Sequence, residues 1–311
     1  MTAIASGTAA APSTAPPPGP PWLWRAAVLN LVVQVGIVVT GGIVRLTGSG
    51  LGCPTWPECA PGSLVPTPEQ TEGVAKLIEF GNRLLTFVVG LAALAVLVLA
   101  WRYRRRLLPL AALPLIGTLG QAALGGYTVL TALHPATVAA HFLLSMVLIA
   151  ASTLLLQRIA EPDGRVTARV AGPLRALAWS LAVVGALTLV LGTVVTGSGP
   201  HSGDADEPVR FAVDPRTASM LHADAVLLFC GLLVGYLVAV RLMGLRGRPW
   251  VAGLALLGVT LAQGAIGYAQ YFTGLPRVLV VLHMLGASLF VVSLTAVVLA
   301  TRTREGHHDR H

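Results

Sequence analysis

Three histidines lie at similar depths in apolar segments of the sequence. His141 and His283 each come about six residues into an apolar run that follows a short loop, and His222 lies near the start of another run. A rise of 1.5 Å per residue places His141 and His283 roughly 9 Å below the start of their helices. Polar side chains in lipid are costly and usually functional. We therefore predict that these histidines are ligands.

Two of the histidines could bind one metal from opposite sides. His222 and His283 can face each other across a helical bundle and supply both axial nitrogens to a haem iron, an arrangement typical of electron transfer. A zinc site would need further Cys, His or acidic ligands. Asp224 is the nearest acid, and it lies two residues from His222, on another helical face. The histidines therefore predict haem rather than zinc.

Long apolar runs position these side chains. The chain has 311 residues, of which 55% are apolar and 11% charged, and a membrane-spanning helix needs about 20 mostly apolar residues. The composition predicts an all-α integral membrane protein with eight transmembrane helices. The predicted spans are residues 23–45, 77–100, 107–130, 137–157, 173–196, 218–241, 250–272 and 277–300.

Basic residues predict the orientation, because Lys and Arg near helix ends stay on the cytoplasmic side. Of the 21 basic residues, 15 fall on one side together with both termini, so both termini are predicted to be cytoplasmic. The net charge of +8 then reflects topology and not nucleic-acid binding. We predict that residues 1–21 form a disordered cytoplasmic tail and that residues 301–311 form a solvated tail. Twenty arginines against one lysine favour a bacterial cell membrane.

An internal repeat divides the chain. Residues 121–146 align without gaps on residues 263–288, at a constant spacing of 142 residues. The repeat predicts two tandem, pseudo-symmetric four-helix bundles, residues 22–160 and 161–300, in parallel orientation. The aligned pairs include Gln121 with Gln263, Gly125 with Gly267, Thr131 with Thr273 and His141 with His283.

The two halves differ at the position of His222. Alignment places Asn82 there in the first half, and Asn is a poor iron ligand. Glu79 lies three residues earlier and so on the same helical face, which we predict to look towards His141. Two hypotheses for Glu79 follow: an interfacial acid paired with Arg83 at i+4, or an acid beside a bound cofactor or substrate.

Two cysteines lie in the loop after the first span. Cys53 and Cys59 are on the side predicted to be oxidising, which suits a disulfide bond. Such a bond could be a structural clip, or it could exchange with a redox partner. The sequence leaves both roles open.

These features resemble the haem A synthase family, the membrane enzymes that convert haem O to haem A for terminal oxidases. The resemblance rests on residues 41–54 at the exit of the first helix, on residues 78–84, and on His141, His222 and His283. It covers residues 24–300. The chain is similar to bacterial members of the family.

The resemblance implies a b-type haem bound by His222 and His283 in the C-terminal half and a substrate haem site in the N-terminal half. Glu79 matches the family's essential acid, and Cys53 and Cys59 match its loop disulfide. Many members have a second histidine where this sequence has Asn82. Some carry a further cysteine pair after the fifth helix, and this chain has none there.

The reaction that the resemblance implies is oxidation of a porphyrin methyl group to a formyl group, through two hydroxylations and loss of water. His141 would anchor the substrate iron, Glu79 would transfer protons or position water, and the b-type haem would relay electrons. A haem O synthase and an unidentified electron donor are the expected partners, and a homo-oligomer is compatible with the sequence. Candidate propionate partners, chosen by charge and side of the membrane, are Arg45, Arg83, Arg216 and Arg277.

Two other functions fit parts of the sequence. A non-enzymatic b-type cytochrome would use the paired histidines only to carry electrons, and it would not need Glu79. A transporter could also have parallel repeats and intramembrane polar residues, but it would bind no haem.

Overall fold

A computed structural model describes residues 19–201, 203–204 and 209–305. Within these ranges eight helices are long and apolar enough to cross a membrane, which confirms the predicted fold class. Residues 1–18 and 306–311, which make up most of the two predicted tails, lie outside the described residues. The helices are α1 (Pro21–Leu46), α2 (Ala75–Tyr103), α3 (Leu108–Leu130), α4 (Pro135–Ala160), α5 (Gly172–Ser198), α6 (Pro215–Leu242), α7 (Arg248–Phe272) and α8 (Arg277–Ala300).

Proline opens most of these helices. It occupies the first or second position of six of them, where its missing N–H costs no hydrogen bond. The start of α6 also has a capping acid: the Asp214 carboxylate accepts from Thr217 N at 2.8 Å, and this bond lowers the pKa of Asp214. These signals fix the start of the helix that carries His222.

The helices form two rings of four that share one interface. In the first ring α1 packs on α2, α2 on α3, α3 on α4 and α4 on α1, and α5 to α8 repeat this order. The rings meet where α4 contacts α5 and α8, and where α1 contacts α8. The largest apolar cluster lies at this interface and includes Val38, Ile149, Leu181 and Phe290. The packing agrees with two tandem four-helix bundles.

The repeat extends to the backbone of the connecting turns. Between α3 and α4, Ala132 and Leu133 have φ values of 49° and 54°, and between α7 and α8, Gly274 and Leu275 have 76° and 59°. Left-handed backbone is uncommon for residues other than glycine. Its occurrence in both turns, at the spacing of 142 residues, shows that the duplicated sequence folds twice in the same way.

A small sheet closes the end of the molecule where both termini lie. Strand β1 (Val166–Ala168) pairs antiparallel with β2 (Arg302–Arg304). Residues 302–304, predicted to be part of a solvated tail, are therefore ordered, because the α4–α5 linker offers them a strand partner and a buried acid. Glu161 lies 3.6 Å from Arg304 Nε, and Arg304 Nη1 donates to Gly164 O at 3.0 Å. We call this end the clasp end and the opposite one the loop end.

Candidate functional site

The second half brings two of the predicted ligands together. His222 lies on α6 and His283 on α8, the two helices that stand diagonally across this ring of four. His222 Nδ1 lies 3.0 Å from the carbonyl oxygen of Thr188 on α5. Because that oxygen can only accept, Nδ1 carries the proton and Nε2 keeps its lone pair for a metal. His222 is thus held as a ligand requires.

Glycines leave room for all three rings. A Cβ would lie 3.3 Å from His222 Cε1 at Gly192, 3.6 Å from His283 Cε1 at Gly267, and 3.2 Å from His141 Cε1 at Gly125. A larger side chain at any of these glycines would press on the imidazole. From the sequence, Gly125 was predicted to serve close helix packing only; the equal spacing of Gly125 and Gly267 to the aligned histidines was the available signal for a place beside the rings.

No group of three or more His, Cys, Asp or Glu side chains that could hold a metal ion occurs among the residues described. A structural zinc site normally uses four such ligands. A haem needs only axial ligands from the protein, because the macrocycle supplies the other nitrogens, so the predicted haem site stays a prediction that two histidines could satisfy.

The first half differs at the corresponding position. Asn82 Oδ1 accepts from Thr40 Oγ1 on α1 at 2.7 Å, much as His222 is bonded to α5. His141 lies opposite Gly125 on α3, and its Nδ1 is buried with no hydrogen-bond partner among residues 19–201, 203–204 and 209–305. The structure therefore keeps the equivalence of Asn82 and His222 but gives the first half one imidazole where the second has two.

The Cys53–Cys59 disulfide closes the loop after α1, as predicted. Glu79 lies beneath this loop, and its Oε2 accepts from Cys53 N at 2.7 Å. Arg83 donates to the carbonyl oxygens of Cys53 at 2.8 Å and of Thr55 at 3.1 Å. Two side chains one turn apart on α2 thus hold the backbone of the disulfide loop.

Glu79 and Arg83 also bind each other. The Nη2 and Nε atoms of Arg83 lie 2.7 Å and 3.1 Å from Glu79 Oε1. Of the two hypotheses for Glu79, the structure shows the pair with Arg83. Every nitrogen of the Arg83 guanidinium donates either to Glu79 or to a loop carbonyl, which argues against its predicted role as a propionate partner.

The other candidate arginines lie in different surroundings. Arg45 Nη2 donates to Thr196 O at 2.7 Å and thereby joins α1 to the last turn of α5 in the other half. Arg216 and Arg277 are exposed at the loop end. Arg277 lines an apolar cavity of about 210 Å³ with Ile43 and Leu46. Arg216 and Arg277 stay candidates for binding anionic groups.

Trp56 connects the disulfide loop to the first half. Its indole lies against Gly126 on α3, next to the glycine that faces His141, and 42% of the side chain remains exposed. The loop therefore covers the loop end of the first bundle. Sequence analysis did not assign Trp56 a role, although its place between the two cysteines put it in this loop.

The eight apolar helices of the described residues, the tandem repeat and the histidines at equivalent depths define a multi-pass membrane protein of two related halves. A family model described as cytochrome oxidase assembly protein matches residues 23–201, which include α1 to α5 and the disulfide loop. The chain belongs to this family of cytochrome oxidase assembly proteins.

The chain is also similar over its length to bacterial proteins named haem A synthase. A relative from Bacillus cereus is 27% identical over 300 residues, which cover 90% of this chain and 94% of the relative. A relative from Bacillus mycoides is 27% identical over 297 residues, covering 90% and 93% of the two chains. The similarity therefore includes both halves.

Proposed function

We propose that this chain is a haem A synthase, an oxidoreductase that converts haem O to haem A by oxidising a methyl group to a formyl group. The observation that carries the proposal is the inequality of two otherwise equivalent sites. The second half presents paired histidines, whereas the first presents His141 and, at the place of the second histidine, Asn82. The Bacillus relatives that carry this name match 90% of the chain.

In this proposal His222 and His283 hold a b-type haem as a resident cofactor. The residues fit that group: Thr188 orients His222, and Gly192 and Gly267 leave the rings unobstructed. When bound, such a haem supplies one-electron transfer. The protein's part is to fix the two imidazoles and to exclude water from them with the surrounding apolar helices.

His141 binds the iron of the substrate haem O in the first half. Because Asn82 replaces a second histidine, the substrate is held less firmly than the resident haem, and the product can leave. A site that must bind haem O and release haem A needs this weaker binding. A permanently ligated cytochrome would have no reason to lose the ligand in one half only.

Glu79 is the candidate for proton transfer. Among the described residues the buried acids are Glu79 and Glu161, and Glu79 lies at the loop end with the histidines. Its carboxylate is held by Cys53 N and Arg83, so proton exchange requires the loop contact to open. We also assign the arginine-rich clasp end to the cytoplasm of a bacterial cell membrane, since basic residues are retained there.

Haem extraction from cells tests the proposed activity. Cells that supply haem O and express the intact chain should accumulate haem A, detectable by chromatography of the extracted haems, whereas cells with an empty vector should contain haem O but no haem A. A b-type spectrum without haem A would favour the cytochrome alternative that the paired histidines also fit. Absence of both haem A and a b-type spectrum would refute the haem site.

Substitution of Gly267 tests the fit of the second site. Gly267→Leu should press on His283 and weaken haem retention by about 10-fold, the lower end of the usual effect of displacing a group that supports a metal ligand. The measurement is the ratio of b-type absorbance to protein after purification. Gly264→Leu is the matched control, because no atom lies within 4 Å of a Cβ at Gly264. Equal haem loss in both variants would contradict the assignment.

A further inference from the structure

Two glutamines make the same contact in the two halves. Gln121 on α3 donates from Nε2 to the carbonyl oxygen of His141 at 3.0 Å, and Gln263 on α7 donates to the carbonyl oxygen of His283 at 3.0 Å. A carbonyl inside an α-helix already accepts the N–H four residues on. The glutamine adds a second hydrogen bond at the level of the histidine, and it does so twice, 142 residues apart.

The glycines that face the histidine rings are one turn further along the same helices. Gly125 follows Gln121 by four residues, and Gly267 follows Gln263 by four, so each pair lies on one helical face. The amide holds the backbone of the histidine while the glycine leaves space for its ring. Together they fix the depth and rotation of α4 and α8 at the residue that would bind iron.

Four buried atoms of these residues are without partners. They are His141 Nδ1, His283 Nδ1, Gln121 Oε1 and Gln263 Oε1, each with no hydrogen bond among the described residues. Buried polar atoms are nearly always hydrogen-bonded. The occurrence of the same two atoms without hydrogen bonds in both halves therefore needs an explanation. A ring nitrogen and an amide oxygen are complementary, because one can donate and the other can only accept.

Gln263 Oε1 lies on the face of α8 that carries His283. A Cβ at Gly286 would collide with this oxygen, and Gly286 follows His283 by three residues, which places both on one face. In the first half, Gln121 Nε2 also donates to Ser145 Oγ at 2.6 Å, four residues after His141 and again on the same face. In both halves the amide therefore lies about one turn beyond the histidine, on the helical face that carries it.

We propose that Gln121 and Gln263 are positioning residues for the haem ligands His141 and His283. Each amide N–H fixes the helix, and each Oε1 accepts the Nδ1–H of the iron-bound imidazole through one water molecule, since the two atoms share no direct hydrogen bond in the structure. An iron-bound histidine almost always donates its other N–H, which makes the ligand more basic. His222 already has such an acceptor in Thr188 O. This inference rests on the proposed haem ligation.

The b-type haem of the full-length purified protein provides the test. Gln263→Leu removes the acceptor, so it should raise the midpoint potential and weaken haem retention about 10-fold to 100-fold. Gln263→Glu keeps an acceptor oxygen and should leave the potential at or below that of the unmodified protein. Gln121→Leu is the matched control in the other half and should leave the b-type potential unchanged.

The outcomes separate this inference from the proposed function. An unchanged midpoint potential in Gln263→Leu would overturn the inference. A raised midpoint potential in Gln263→Glu would also overturn it. If Gln263→Leu cannot be purified in a folded form, the Gln263→Glu measurement alone decides. A b-type spectrum missing from the unmodified protein, or retained in His283→Ala, would instead overturn the ligand assignment on which the inference rests.

Discussion

His222→Ala and His283→Ala should each abolish the b-type spectrum of the purified protein. Each substitution removes one of two axial nitrogens, and loss of groups that merely support a metal ligand already costs 10-fold to 100-fold in affinity. We therefore expect haem affinity to fall by more than about 100-fold. The measurement is the reduced-minus-oxidised spectrum, normalised to protein.

His134→Ala and His201→Ala are the controls for this prediction. His134 caps α4 by accepting from Ala136 N, and His201 Nε2 lies 3.2 Å from Leu275 O in the turn between α7 and α8. Neither belongs to the paired site, so both variants should keep the b-type spectrum. Loss of the spectrum in a control, or its retention in His222→Ala, would contradict the assignment.

Glu79→Ala should destabilise the protein and abolish haem A formation. The substitution leaves the Arg83 guanidinium without its anion and Cys53 N–H without its acceptor. Removing one partner of a largely buried ion pair costs about 3–5 kcal/mol. The Glu79 side chain is 7% exposed and that of Arg83 22%, so we expect the lower part of this range. Thermal unfolding in detergent measures the loss.

Two further variants separate the loop contact from proton transfer. Glu69→Ala changes an exposed acid of the same loop and should leave stability unchanged. The double variant Glu79→Gln with Arg83→Gln removes both charges and should be destabilised less than the sum of the single changes. If the double variant folds but makes no haem A, whereas Arg83→Gln alone still makes it, the carboxyl group of Glu79 is required for chemistry. Full stability of Glu79→Ala would contradict the loop contact.

The helices and the internal repeat could be predicted from the sequence, because both follow directly from the pattern of residue types along the chain. Each predicted span lies within or close to an observed helix, since a run of about 20 apolar residues has few alternatives to a spanning helix. The differences are at the ends: α6 begins at Pro215 and not at residue 218, because Asp214 and Pro215 form its first turn. The alignment of Gln121 with Gln263 marked equivalent contacts before those contacts were known.

Contacts between segments that are distant in the sequence could not be predicted from it. Helical spacing placed Glu79 and Arg83 on one face, but it does not tell which loop lies above that face. Cys53 and Glu79 are 26 positions apart, and the residues between them contain turns whose path depends on the packed helices. The same holds for β1 and β2, because residues 166 and 304 pair across most of the second half. The propionate role of Arg83 and the solvated tail at residues 302–304 were therefore predicted without knowledge of the segments that contact them.

The haem composition of purified His141→Ala protein tests most directly the claim that the two halves have different tasks. If His141 serves the substrate and His222 with His283 the resident haem, this variant retains haem b, contains neither haem O nor haem A, and forms no haem A in cells that supply haem O. Haem A in this variant, or loss of its haem b with retention of haem b in His283→Ala, would contradict the account.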